Sequence, residues 1–447
     1  MLQDTLTRAL LCGGYSIEAV GVDFLLTFPI RDRTAIFGVA LAILAPGCSS
    51  GGHGSSGAAI GSHARSDSGA SGTSLASTSS SGESSGSGGS DSGTASTGDG
   101  GAGPEAGTDA GAETGNDAGA DAGAEPEAGI PVGDGGPDAA SCQTKGAGLN
   151  NCGMASESCC TSLGVPGGTY ARTYTNSGTG ATGLADGATV SAFRLDKYLV
   201  TVARFRQFVT YLTGSAGTPP ANGSGIHTHL NGGSGLANAA ATGTYETGWD
   251  AADWNADIAT GPGALGTWNT NLACGPFSTW TSTAGSQETL PISCLDWYEA
   301  YAFCIWDGGF LPSEAEWEYV AAGGSQQVEY PWGSTDPGMG TQYAIYNCNF
   351  GMCTNALNSI APVGTATLGP ARWGQLDMAG EMWEWNLDWD VTYVDPCTDC
   401  AYLAPASYRT IRGGDFYNSA LDLPPPYRSG DPPTTRTNIG IRCARTP

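Results

Sequence analysis

Asp377 and Glu384 bracket the run Asp377-x-x-Gly380-x-Met382-x-Glu384. Two carboxylates around backbone carbonyls make a hard, all-oxygen donor set of the kind calcium prefers. The competing reading is a pair of loop acids hydrogen-bonded to nearby amides. Two other groups invite metal chemistry less strongly. His227-x-His229 sets two imidazoles on one side of an extended segment, but among glycines and serines with no evident carboxylate, so a solvated loop is expected there. Cys397-x-x-Cys400 has half of a zinc spacing, yet no second such pair exists and all four histidines lie at or before His229, which favours disulfides. Glu314, Glu316 and Glu318 follow Ser313 at capping positions and are read as capping or solvated groups, not catalytic ones. No residue is assigned a catalytic role.

Such groups need elements to position them, and three helices are legible. Behind Thr201, a good N-cap, Val202, Phe205, Phe208, Val209 and Leu212 recur at helical spacing. Asp296-x-x-Glu299 opens a second helix with Trp297, Ala300, Tyr301 and Cys304 on one face, ended by Gly308-Gly309. Ser313-x-x-Glu316 starts a third, which buries Trp317, Val320 and Ala321 and stops at Gly323-Gly324. Beyond that point, short aromatic segments broken by Gly, Pro, Asn and Asp indicate strands and loops. Irregular chain leaves many backbone groups to satisfy, so disulfides and bound cations are the expected staples.

Composition confines the folded unit to the later part of the 447 residues. Residues 49–140 are nearly all Gly, Ser, Ala, Thr, Asp and Glu and cannot bury enough apolar surface to offset ordering entropy, so they read as a disordered tether. All 12 tryptophans lie at or after Trp249. The net charge of −26 is shared evenly: 17 acidic and 4 basic groups up to residue 140, 26 and 13 after it. A nucleic-acid partner is excluded by repulsion. Of the 14 cysteines, 12 lie from Cys142 onward, a density and an even number that suit a disulfide framework in an oxidising compartment.

Four blocks in one order, Leu311–Tyr319, Met378–Trp385, Ile411–Phe416 and Ile439–Arg445, resemble the sulfatase-modifying-factor family. Its namesake, the formylglycine-generating enzyme, oxidises a sulfatase cysteine to formylglycine. The resemblance covers roughly Ser191 to Arg445 and implies an α+β, C-type-lectin-like fold with much irregular structure. Residues 141–190 form a Cys-rich lead-in, and about 214–289 matches poorly and reads as an insertion carrying Trp249, Trp254, Trp268 and Trp280. The resemblance places calcium on the side chains of Asp377 and Glu384 and the carbonyls of Gly380 and Met382. A second calcium would fall on Asn347, the Cys348 carbonyl, Asn355 and the Leu357 carbonyl, where Asn355 replaces an expected carboxylate. It also pairs Cys304 with Cys443. The two copper-binding cysteines of the family's enzyme, however, map near Asn418 and Leu423, no Cys occurs between Cys400 and Cys443, and Ser419 stands where a histidine is usual. Copper needs soft thiolates, so it is not expected here. Another branch oxidises sulfur compounds with non-haem iron held by a separate helical domain, which this sequence lacks.

The two functional expectations are therefore a calcium-stabilised binding module for a protein, peptide or glycan, and alternatively an oxidoreductase of the copper or iron type on an unknown substrate. Residues 1–48 read as a leader: Arg31-Asp32-Arg33 precedes the apolar run Ala35 to Ala45, too short to span a bilayer, and Leu44-Ala45-Pro46-Gly47-Cys48 resembles a bacterial lipoprotein processing site. Lipidation of Cys48 would anchor the domain to the cell envelope by more than one acyl chain. Radiolabelled palmitate is accordingly expected to label the natural chain but not Cys48→Ala, which should leave the membrane fraction.

Overall fold

The computed structural model describes residues 139–351, 353 and 356–447, all within the unit Glu113–Pro447. Cys48, the leader and nearly all of the tether lie outside the described residues.

The lead-in contributes β1 (Ser162–Val165), β2 (Gly168–Thr175) and β3 (Thr182–Val190), and is followed by β4 (Phe193–Asp196). Antiparallel pairing joins β1 to β4 and β2 to β3. Helix α1 (Val202–Thr213) starts as its sequence requires, with Thr201 Oγ1 accepting from Arg204 N at 3.2 Å. The insertion holds β5 (Ala237–Asn238) and two short helices, α2 (Ala251–Trp254) and α3 (Leu265–Asn271). Helices α4 (Trp297–Trp306) and α5 (Glu314–Ala321) both open on complete capping boxes, at Asp296/Glu299 and Ser313/Glu316. The remainder is β6 (Trp383–Trp389), β7 (Cys397–Thr398), β8 (Cys400–Ala401), β9 (Arg409–Arg412), β10 (Arg428–Asp431), β11 (Ile439–Gly440) and β12 (Ala444–Arg445). The central sheet runs β10-β9-β6-β11, and a second, β1-β4-β12, brings the C-terminal strand back to the lead-in. This is the mixed α+β architecture with much irregular chain.

The main core lies between α1, α4 and the central sheet, and the insertion fills part of it. Trp249 and Trp268 are wholly buried, Trp280 nearly so, and Trp268 meets Phe205 and Phe208 edge-on. Three of the four insertion tryptophans are thus structural. A second buried feature replaces apolar packing with charge. Arg204 on α1 donates to Asp196 Oδ2 at 3.0 Å and Asp307 Oδ2 at 2.7 Å, and Arg445 reaches the same two carboxylates. Such a group holds only while all members are present, because removing one strands a buried charge.

All twelve described cysteines are paired: Cys142–Cys160, Cys152–Cys159, Cys274–Cys294, Cys304–Cys443, Cys348–Cys353 and Cys397–Cys400. Cys304–Cys443 ties α4 to the segment before β12 across a separation of 139 residues. The other five bridge 3 to 20 residues and fasten local loops.

Candidate functional site

The four sequence blocks meet at one buried carboxylate. The capping box aims α5 so that the Trp317 indole donates to Glu384 Oε2 at 3.0 Å. Arg442 donates from Nε to the same oxygen at 2.7 Å and from Nη2 to Oε1 at 2.9 Å. Its other N–H groups go to the carbonyls of Asp196, Lys197, Leu376 and Asp377. The third block joins through Gly413, whose carbonyl accepts from Gly380 N at 2.8 Å.

Around this centre the α5 glutamates are not solvated. Glu316 does cap its helix, but all three are buried in charge networks. Glu314 accepts from Arg412 at 2.9 Å and Arg428 at 2.7 Å; burial alone would raise it, and the two guanidinium groups hold it below the usual carboxylate range. Glu318 shares Arg412 with Glu314, at 2.5 Å. Burial, only partly opposed by Arg412 and reinforced by Glu314, pushes Glu318 up to about 7.

His227 is likewise no solvated loop residue. Its Nδ1 lies 3.0 Å from both Glu246 oxygens and its Nε2 3.1 Å from Glu316 Oε2. Burial opposes the charged ring, but Glu316 and Glu246 outweigh it and raise His227 to about 10, giving a buried imidazolium between two carboxylates. The carboxylates escaped the sequence reading because one stands 19 residues downstream and the other on α5. His229 stacks on Phe310 with ring centroids 5.6 Å apart, and both its nitrogens are buried without a hydrogen-bond partner among the described residues.

The loop from Asp377 to Glu384 has a contorted backbone: Asp377, Gly380 and Glu381 have φ of 60°, 77° and 67°. A Cβ at position 380 would lie 2.3 Å from the Ile345 carbonyl oxygen, so only glycine fits. Asp377 Oδ2 accepts from Gly364 N at 2.7 Å and its Oδ1 accepts no hydrogen bond among the described residues. Burial pushes Asp377 up to about 6 against the Gly364 amide and Arg442, and Glu384 adds to the rise. Glu384 Oε1 accepts one hydrogen bond and keeps a lone pair. Among the described residues no three His, Cys, Asp or Glu side chains converge as a metal-binding group, so a cation here would rest on these two carboxylates and on carbonyls. Glu384 is already bound by Trp317 and by both ends of Arg442, and the Gly380 carbonyl accepts from Met382 N at 2.9 Å, so the open oxygen for a hard cation is Asp377 Oδ1.

At the second position Asn347 and Cys348 have φ of 46° and 54°, and their amides donate to the carbonyls of Asn418 and Phe416. Cys348 is fastened to Cys353, the Leu357 carbonyl accepts from Ile360 N at 3.4 Å, and Asn355 lies outside the described residues.

In the loop that follows Gly414, the residues at the copper positions do structural work. Asn418 Oδ1 accepts from Asp415 N at 3.1 Å while Asp415 Oδ1 accepts from Asn418 N at 2.8 Å. Leu423 is buried with Ala344, Tyr346 and Ala379, and Ser419 caps the short turn Ala420–Asp422. Burial pushes Asp415 up to about 6, opposed by the Asn418 and Tyr417 amides.

Elsewhere, between the insertion and β6–β9, a cleft of about 470 Å³ is lined by Trp254, Trp297, Tyr298, Tyr301 and Trp389 with Arg409 among them. No motif marked it: its walls come from four separate stretches of chain.

Residues 152–447 match the family described as Sulfatase-modifying factor enzyme 1-like domain, and the chain belongs to that family. It is 29% identical to formylglycine-generating enzyme of Bos taurus over 181 residues, 37% of this chain and 48% of the relative. Over 177 residues, 38% and 55% of the two chains, it is 29% identical to the inactive C-alpha-formylglycine-generating enzyme 2 of Mus musculus. The chain thus spans about half the length of these curated relatives. PvdO from Pseudomonas aeruginosa aligns with 68% of this chain over 98% of its own, at 18% identity and a TM-score of 0.42.

The charge network yields a pH signature. A carboxyl raised from 4.5 to about 7 binds its proton more tightly when folded, so its contribution to stability is full below 4.5 and is lost as pH rises toward 7. Glu318→Gln should therefore flatten the decline in unfolding free energy between pH 5 and 7 by up to about 1.4 kcal/mol per pH unit. Denaturant titrations at pH 5, 6 and 7 check this; parallel profiles for variant and natural protein would refute it.

Proposed function

We propose that this is a binding module: a sulfatase-modifying-factor domain that has lost copper-dependent cysteine oxidation, keeps calcium at Asp377 and Glu384 as a structural cation, and is displayed on a tether at the bacterial cell envelope. The observation that carries the reading is the state of the cysteines. Every described thiol is consumed in a disulfide, while Asn418 and Leu423 serve the loop's own hydrogen bonding and packing. Cu(I) without thiolates lacks its preferred ligands. The iron alternative gains nothing from His227, since both ring nitrogens already face carboxylates.

The support for calcium is Asp377 Oδ1, which accepts no hydrogen bond among the described residues, beside the remaining lone pair of Glu384 Oε1. Calcium binds the folded state only, so Asp377→Ala should lower the melting temperature in calcium and leave it little changed in chelator. An equal shift in both conditions would argue that Asp377 acts without a cation.

For the lost oxidation, the purified protein is mixed with copper, oxygen and a peptide bearing the sulfatase cysteine motif. No aldehyde is expected by mass spectrometry. Turnover would return the function to oxidase chemistry.

A further inference from the structure

Arg409 is the unusual cation of this protein. Its guanidinium lies between two indoles, with Cζ 3.6 Å from the Trp297 ring centroid and 3.8 Å from that of Trp389. The residue is 5% exposed. Other buried arginines (Arg172, Arg204, Arg412, Arg442 and Arg445) each pair with a carboxylate. Arg409 makes no ion pair among the described residues. Nη1 donates to the Leu387 carbonyl at 2.6 Å, Nε is buried with no partner, and Nη2 makes no hydrogen bond with the described residues. Burial pulls its pKa down to about 9, only partly offset by Tyr298 and Asp388, so it is charged at neutral pH without a carboxylate in direct contact.

An unpaired buried charge is costly, and the fold keeps this one in the wall of an open cleft. The cation–π sandwich fixes its position without neutralising it. What would complete the site is an anionic oxygen pair, which a guanidinium binds in a bidentate way. The other walls narrow the choice. Trp254 and Tyr298 are half-buried and present flat apolar surface to the cleft, while Asp250 and Asp253 lie beside them as acceptors for hydroxyl donors. A ligand with a carboxylate, a flat C–H face and several hydroxyls answers all three. Its charge must be single and local, because a polyanion would meet those two acids and a chain of net charge −26. The volume of about 470 Å³ is that of a small-molecule pocket.

We infer that this cleft binds a carboxylated sugar of the uronic-acid class, one residue at a time, with the carboxylate on Arg409 and the ring against Trp254 and Tyr298. This rests on the binding-module reading and gives it a ligand class.

The test is calorimetric titration of the full chain with glucuronate, its neutral methyl ester, glucose, and the dipeptide alanyl-alanine. Glucuronate should bind about tenfold or more tightly than the ester or glucose, and Arg409→Gln should abolish that preference. The ester comparison needs no variant, so it stands if Arg409→Gln fails to fold. Equal affinities for acid and ester, or no glucuronate binding, would overturn the inference. Tighter binding of alanyl-alanine would overturn it in favour of a peptide carboxy-terminus. The aldehyde assay reads the other proposal separately: turnover there, with glucuronate binding here, would make the cleft a site on an enzyme.

Discussion

The pairing of Glu384 with Arg442 is the interaction on which the rest of the structure depends. Glu384 sits on the central strand β6, opposite Arg412 of β9, and Arg442 comes from the chain between β11 and β12. One guanidinium thereby closes the C-terminal segment onto β6, onto the loop at Leu376–Asp377 and onto the end of β4. Cys443, the next residue, bridges to α4. Buried ion pairs of this kind are poor sources of net stability but severe penalties when broken, which makes them devices for holding one arrangement against others. A domain with so few long strands has need of such devices. The charge of the same carboxylate adds to the rise of Asp377, so the group that organises the fold also bears on the neighbouring loop acid.

Around that centre the segment after Gly414 is built as scaffolding. The segment after Gly414 closes on itself through Asp415 and Asn418 and on its neighbours through Asn347 and Cys348. A thiol at 418 would lose the hydrogen bond that Asn418 Oδ1 accepts from Asp415 N, and one at 423 would replace a leucine packed among apolar groups. Thiols at these two positions would therefore disturb contacts that the residues now present satisfy among themselves.

Much of the fold was legible because it depends on local rules. The caps at Thr201, Asp296 and Ser313 and the apolar spacing behind them mark the three main helices, and the structure begins each helix there. The Cys304–Cys443 bridge was legible only through the family resemblance. What stayed hidden is what depends on distant partners. Glu318 and Glu314 look like ordinary helix-surface acids until Arg412, nearly a hundred residues on, is seen between them. His227 reads as a loop residue because its two carboxylates come from unrelated elements. Of the insertion's tryptophans, Trp249, Trp268 and Trp280 went to the core; periodicity cannot separate core from surface aromatics in a segment with no long helix or strand.

That burial also explains why the cleft can be a defined site. A ligand pocket walled by a surface insertion is ordinarily mobile, and binding then carries the cost of ordering it. Here the insertion is fixed at several points. Trp249 and Trp268 are wholly buried, Cys274 is bridged to Cys294, and Glu246 is held by His227, which is itself held by Glu316 of α5. Trp254 packs edge-on against Trp297, and Trp297 in turn lies against Arg409. The wall that carries the aromatic face is thus rigidly related to the strand that carries the guanidinium. With both halves set before any ligand arrives, recognition in this cleft depends on chemical match more than on adaptation.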